Sequence, residues 1–372
     1  MIIDTFSLYE AGIKEAVLSL EQSDPDYSLE KICQITSRYL NNKAPKEVWP
    51  MVVGIGASKG GVGKSTIAIN LSHAFARAGL TTGLVDTDLS DPNDALYVNK
   101  DTYDLMVNQD ETITFNRGNL IDVVFGRKVE EQRAYQKKSM QDVAVQSKTK
   151  PNLRYFLLEQ LGDCYGQRGN SEKAKRLVRS TLLKKAKELE GYHVVILDFP
   201  AGTPEHLSAY IGCDERGYVV DFGNDASLSG IFNIARLVAK RKIDGNNFLF
   251  VNYISEFAGR QRIQDKLALV SSKLEKIMEK IGDDDDMRKA REIVHDTNRH
   301  LEQIGSKKLA FDRRPALLRN LEVIKESTHE GMPYLAGLSK REERSFSYSR
   351  EMFTLATNML NSYLGKNGVH TE

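Results

Sequence analysis

Apolar residues fall along this chain in two alternating textures, and the alternation predicts the architecture. Short unbroken runs such as Met51-Val52-Val53-Gly54-Ile55, Val194-Val195-Ile196-Leu197 and Phe248-Leu249-Phe250-Val251 read as strands buried on both faces. Between them apolar residues recur at the spacing of a helix with one covered side. Ile67, Ala68, Leu71, Ala74, Phe75 and Ala78 form such a stripe, ended by Gly79, which leaves His73 off the stripe as a solvated helix histidine. Strands alternating with helices predict an α/β fold: a doubly wound, mostly parallel sheet with helices on both faces.

The remaining segments read as additions to that plan. Residues 1–46 form a helical N-terminal extension of two short helices, split at Ser23-Asp24-Pro25-Asp26, ahead of a main domain over 47–372. Leu120 to Phe125 is either a strand or a short buried helix, and residues 127–150 are polar and weakly patterned, as in a mobile loop. A helix is expected around Arg154 to Tyr165. Another runs from Ser171 to Leu189, with Ala174, Leu177, Val178, Leu182, Ala186 and Leu189 inward. Over 256–306 the seam of Ile263, Leu267, Val270, Leu274, Ile277 and Ile281 predicts a helical hairpin. A last helix, Ser345 to Leu364, buries Met352, Leu355, Met359, Leu360 and Tyr363.

Composition narrows the class. At 372 residues the chain has length for roughly two to three average domains, or one large α/β domain carrying insertions. Fifty-two basic residues against 51 acidic leave a net charge of +1, so affinity for nucleic acid has to come from a local patch. Cys33, Cys164 and Cys213 are widely spaced and give neither a disulfide framework nor a zinc or iron–sulfur pattern. No apolar run approaches the ~18 residues of a spanning helix, and Met1-Ile2-Ile3-Asp4 lacks the features of a secretory signal. The expected setting is cytoplasmic and reducing.

The chemistry concentrates in Ser58-Lys59-Gly60-Gly61-Val62-Gly63-Lys64-Ser65-Thr66, which follows the first strand and opens the first helix. In that setting glycines let successive N–H groups curl toward one phosphate, and the helix adds its positive end. Lys64 is placed to reach the β- and γ-phosphates of a nucleotide, and the Ser65 hydroxyl to ligate Mg²⁺. A glycine expected near the loop's start is replaced by Ser58, and Lys59 is added. In this respect the loop resembles that of the ParA/MinD family of deviant P-loop ATPases.

That resemblance implies ATP and Mg²⁺ as cofactors and an ATP-dependent homodimer, in which Lys59 reaches the partner's phosphates. Asp86-Thr87-Asp88-Leu89-Ser90-Asp91-Pro92-Asn93 is similar to the family's first switch segment. By that match Asp88 orients the attacking water, Asp86 sits in the outer shell of the metal, and Asn93 contacts phosphate near the dimer seam. The strand ending at Asp198 resembles a Walker B strand, so Asp198 joins Ser65 and Asp86 around the metal, and the Gly202 amide senses the γ-phosphate. Asn252 matches the family's adenine contact. Lys308 to Pro315 resembles the last strand and the loop over the base, which brings in Phe311 and Asp312, and a helix is expected between there and Gly331. The nucleotide set is thus Lys59, Gly60, Gly61, Val62, Gly63, Lys64, Ser65, Thr66, Asn93, Gly202, Asn252, Phe311 and Asp312, with Lys59, Lys64 and Asp88 catalytic.

The similarity covers residues 50–98, 190–255 and 307–364, which leaves a basic insertion over about 100–189 and the hairpin as additions. The helix after Ser171 carries Lys173, Lys175, Arg176, Arg179, Lys184, Lys185 and Lys187, a pattern that fits non-specific DNA contact or an ordinary solvated helix face. The resemblance implies a partner-stimulated ATPase that positions or partitions DNA or another large cargo. A regulatory scaffold with little turnover is the alternative. A phosphotransferase like the bacterial tyrosine kinases is disfavoured, because no tyrosine follows Leu364. The final helix has few basic residues, so core packing is expected of it rather than membrane binding.

Overall fold

The structure is a computed structural model that describes residues 50–89, 92–107, 113–115, 119–129, 134–158, 172–202, 209–221, 247–255, 272, 316–320, 332–337 and 347–367. The helical extension over 1–46, residues Phe311 and Asp312, and the hairpin over 256–306 apart from residue 272 lie outside the described residues.

Strand β1 (Met51–Ala57) leads through a glycine turn into helix α1 (Lys64–Arg77), and β2 (Thr82–Asp86) follows. Next come α2 (Asp94–Val98), a 3-10 turn at Asn99–Asp101, the hairpin of β3 (Leu105–Val107) and β4 (Ile113–Phe115), and helix α3 (Leu120–Val124). A second hairpin pairs β5 (Arg127–Val129) with β6 (Ala134–Gln136). The chain continues through β7 (Val145–Gln146), β8 (Leu153–Phe156), α4 (Glu172–Lys187), β9 (Val194–Ala201) and β10 (Glu215–Asp221). It closes with β11 (Asn247–Ser255), β12 (Ala316–Asn320), α5 (Tyr334–Gly337) and α6 (Ser347–Lys366).

Eight strands form one sheet in the order β12-β11-β10-β1-β9-β2-β8-β7, parallel throughout except where β7 meets β8. From β1 the chain steps out to β2, returns to insert β9 between them, then crosses β1 to lay down β10, β11 and β12. The winding therefore reverses beside β1 and β9, and in open α/β sheets ligands bind at the strand ends where it does so.

Side-chain alternation decides which helix lies on which face. Met51, Val53 and Ile55 of β1, with Val194 and Ile196 of β9, share a core with α1 and α6. Gly54 points to the opposite face, where an added Cβ would stand 2.9 Å from Cys213 Sγ and 3.0 Å from the Tyr210 ring. Helix α4 covers that second face: it packs on β1 and β9, and Leu183 closes to 2.7 Å of the position a Gly212 Cβ would take.

Several expectations fail here for physical reasons. Leu153–Phe156 is a strand, not the start of a helix, because four residues carry too little periodicity to separate the two. The segment 127–150 contains a hairpin, a 3-10 turn and β7 in place of a loop without structure. Of the two readings left open for Leu120 to Phe125, the short buried helix is the one formed, over Leu120–Val124, closed by a capping box between Asn119 and Asp122. Ala316–Asn320, in a stretch expected to be helical, extends the sheet beside β11. His73 is fully buried, because its side of α1 is covered by Tyr155 of β8 and Asp101 of the 3-10 turn. Leu177 is 60% exposed, since the buried side of α4 runs through Val178, Arg179, Leu182 and Ala186.

Candidate functional site

The turn between β1 and α1 depends on two glycines in the left-handed region, Gly61 at φ 73° and Gly63 at φ 85°, where an L side chain is strained. Gly63 is the N-cap of α1, so no side chain caps the helix, and its first turn holds no acidic residue. A helix start left in this way suits an anion. Lys59, Gly60 and Gly61 are exposed, Val62 is buried beneath them, and Lys64 is buried at the first position of the helix. Thr66 continues the helix, and its carbonyl accepts from Asn70 Nδ2 at 2.8 Å.

Parallel pairing brings the acids to this turn. Asp86, the last residue of β2, stands opposite Asp198 of β9, which in turn stands opposite Ile55 of β1. The Ser65 hydroxyl donates to Asp198 Oδ2. Thr87 clamps the same strand twice, its N–H at 3.0 Å and its Oγ1 at 2.6 Å from the Asp198 carbonyl. Asp88 is half-buried, and its N–H donates to Asp86 Oδ1 at 2.9 Å. Asn93 is the N-cap of α2, its carbonyl accepting from Leu96 and Tyr97.

Two expected ligand contacts stand differently. The Gly202 N–H donates to the Ala57 carbonyl at 3.2 Å, so it would have to leave that partner to meet a phosphate. Asn252 lies inside β11, paired with Asp221 of β10, and does not end its strand.

Asp94, which the motif reading passed over, completes the cluster. It is buried, and its carboxyl faces that of Asp198, a contact that becomes a hydrogen bond only when one of them is protonated. Burial first, and then the charges of Asp198 and Asp86, push the Asp94 carboxyl well above the ordinary range. Burial and Asp198 raise Asp86 likewise. For Asp198 burial outweighs the opposing pull of Lys64 and the Ser65 hydroxyl, and the pKa rises to about 6. An acid at the first position of a short helix was the available signal for Asp94, but Asp-Pro-Asn-Asp also reads as a plain turn.

Asp86 Oδ2, both Asp94 carboxyl oxygens and Asp198 Oδ1 are buried without a hydrogen-bond partner. Buried orphan acceptors of this kind fit a cation. Among the described residues no cluster of acids, histidines and cysteines forms a self-sufficient metal cage. The donors that converge here are oxygens, the ligand type of Mg²⁺, which is usually held by one or two carboxylates together with substrate phosphates. Cys213 is buried, and burial pushes its thiol up, as suits a packing residue against Gly54.

Residues 53–355 match the family described as CobQ/CobB/MinD/ParA nucleotide binding domain. Among solved structures, the cell division ATPase MinD of Pyrococcus furiosus shares the fold at 18% identity and a TM-score of 0.51, over 84% of this chain and 99% of that one. MinD of Pyrococcus horikoshii, solved with Mg-ADP, matches at 19% identity and a TM-score of 0.49, over 83% of this chain and 95% of that one. The iron-sulfur cluster carrier protein of Pyrococcus abyssi is 43% identical over 51 residues, which is 14% of this chain and 17% of that protein. The chain thus spans about a sixth of the length of that curated relative.

Proposed function

This chain belongs to the CobQ/CobB/MinD/ParA nucleotide-binding family, and on that premise we propose that it is an ATP-binding and ATP-hydrolysing switch, active as a homodimer, that positions or partitions a large cargo. The observation that carries the reading is the convergence, at the reversal of the sheet, of an uncapped glycine turn with three buried carboxylates, Asp86, Asp94 and Asp198, each with at least one oxygen that lacks a partner.

In this reading the amides of Gly60, Gly61, Val62 and Gly63 cradle the phosphates, Lys64 neutralises them, and Ser65 and Thr66 line the near side. Ser65, Asp86 and Asp198 would hold Mg²⁺, which when bound neutralises charge on the phosphates. Asp88, half-buried at the mouth of the cluster, orients water for in-line attack. Lys59 is exposed at the tip of the turn, which supports its reaching a second copy. Asn93, Gly202, Asn252, Phe311 and Asp312 complete the proposed nucleotide contacts.

For cargo, the outer face of α4 offers Lys173, Arg176, Lys184 and Lys187, all exposed, to a phosphate backbone. Among the described residues no helix is long and apolar enough to cross a membrane. A cluster-carrying role has less support: the match to the carrier proteins is short, and Cys213 is enclosed.

The test is the size of the protein in solution with Mg-ATP. The wild type is expected to double in mass with ATP and return with ADP. Lys59→Ala is expected to bind ATP and stay monomeric. A Lys59→Ala protein that dimerises as the wild type does would remove Lys59 from the interface.

A further inference from the structure

Arg179 lies on the inward side of α4 and is buried to 3% exposure, although no motif assigns it a role. A guanidinium stays charged at any accessible pH, so burying one is costly unless acceptors surround it. Its Nε donates, over a long 3.4 Å, to the carbonyl of Thr87, the residue between Asp86 and Asp88.

That carbonyl belongs to the Thr87–Asp88 peptide, whose N–H donates to Asp86 Oδ1 from the opposite edge. A peptide is a rigid plane, so fixing its C=O and its N–H fixes its rotation and with it the direction in which the Asp88 side chain leaves the backbone. Thr87 is also held on its other side by its two bonds to the Asp198 carbonyl. Arg179 supplies the carbonyl-side restraint from a different element, one whose outer face is the basic surface of Lys173, Arg176, Lys184 and Lys187.

We propose that Arg179 is a positioning residue for hydrolysis: it holds the Thr87–Asp88 peptide in the orientation from which Asp88 meets the attacking water, and so ties the basic helix α4 to the catalytic loop. This rests on the ATPase reading above. A group that only orients another is expected to change turnover and leave substrate binding alone.

The experiment compares wild type, Arg179→Met and Arg179→Lys by steady-state ATP hydrolysis, and by hydrogen exchange of the Asp88 amide in the nucleotide-free protein. Expected for Arg179→Met is a fall in kcat of about tenfold, the scale of one charge-assisted hydrogen bond, with KM for ATP held within about twofold. The Asp88 amide should exchange faster, and Arg179→Lys should restore part of both losses. The proposal is overturned by unchanged kcat and unchanged Asp88 protection in Arg179→Met. It is equally overturned if kcat, KM and thermal stability fall together and Arg179→Lys rescues none of them. Should the wild type turn over no ATP, the enzymatic reading falls, while Asp88 exchange still decides whether Arg179 holds this peptide.

Discussion

The two ends of α1 each meet a buried cluster of polar groups, and they are finished differently. At the N-terminal end Asp86, Asp94 and Asp198 crowd together, and no protein donor reaches Asp86 Oδ2, either Asp94 oxygen or Asp198 Oδ1. Near the C-terminal end His73 Nε2 lies 2.8 Å from the Tyr155 hydroxyl, which donates at 2.5 Å to Asp101 Oδ2. The same carboxylate accepts from the Ser147 hydroxyl at 2.6 Å, and its Oδ1 accepts from the Thr149 N–H at 3.1 Å. Because Tyr155 gives its one proton to Asp101, its oxygen accepts from His73 Nε2–H, and the orphan atom left in this second network is His73 Nδ1.

One cluster is closed by the protein itself and pins the β7–β8 segment to α1. The other is left open where the sheet reverses. Buried acceptors without donors cost stability, so a fold retains them where something outside the chain supplies the missing partner. The contrast thus separates a structural polar core from a candidate binding site within one helix length, without appeal to any motif.

The largest expected effect is on ligand binding. Lys64→Ala should weaken ATP by about a hundredfold or more in a calorimetric titration, because a buried charge paired with phosphate is lost. Next comes Asp101→Asn, at the closed cluster: it swaps an acceptor of several bonds for an amide and should destabilise the protein by about 2–3 kcal/mol in urea unfolding. The same chemical change at the open cluster should have the opposite sign. Asp94→Asn relieves like-charge crowding and supplies a donor, so the nucleotide-free protein should gain about 1 kcal/mol. If both substitutions destabilise alike, the distinction between the clusters is lost.

The last comparison is a slope with pH. Asp198 has a folded-state pKa raised from 3.8 to about 6, so its contribution is full below 3.8 and is lost as pH rises through about 6. His73 is lowered by burial from 6.5 to about 4, so its contribution is full above 6.5 and is lost as pH falls through about 4. Urea unfolding of the nucleotide-free protein across this window should show Asp198→Asn gaining on the wild type as pH rises, by at most about 1.4 kcal/mol per pH unit. His73→Phe should instead lose the wild type's decline on the acid side. Curves parallel to the wild type in both variants would contradict the assignment.

The sequence made the open cluster legible and hid the closed one. A phosphate loop is written in consecutive residues, from Lys59 to Thr66, and the strand that carries Asp198 announces itself by the unbroken apolar run Val194-Val195-Ile196-Leu197. His73 and Tyr155 lie 82 positions apart, and nothing local says that they meet. Reading α1 as a helix with one covered side made His73 solvated, an error that only the packing of Tyr155 and Asp101 over it corrects. Arg179 was legible in principle: with Leu182 and Ala186 it stands at i, i+3 and i+7, on the stripe that α4 buries. Its charge drew it into the outer face in the sequence reading. β8 was lost because a four-residue strand has no period of its own and is recognised only by the neighbour it pairs with.

The central claim is that the unpartnered carboxylates beside the glycine turn await a metal brought in with nucleotide. Calorimetric titration of ATP into the wild type and Asp198→Ala, each with and without magnesium, tests it most directly. The account predicts wild-type binding at least about tenfold tighter with magnesium, and a difference that vanishes in Asp198→Ala. Equal wild-type affinity in both conditions, or a magnesium effect that survives in Asp198→Ala, would contradict it.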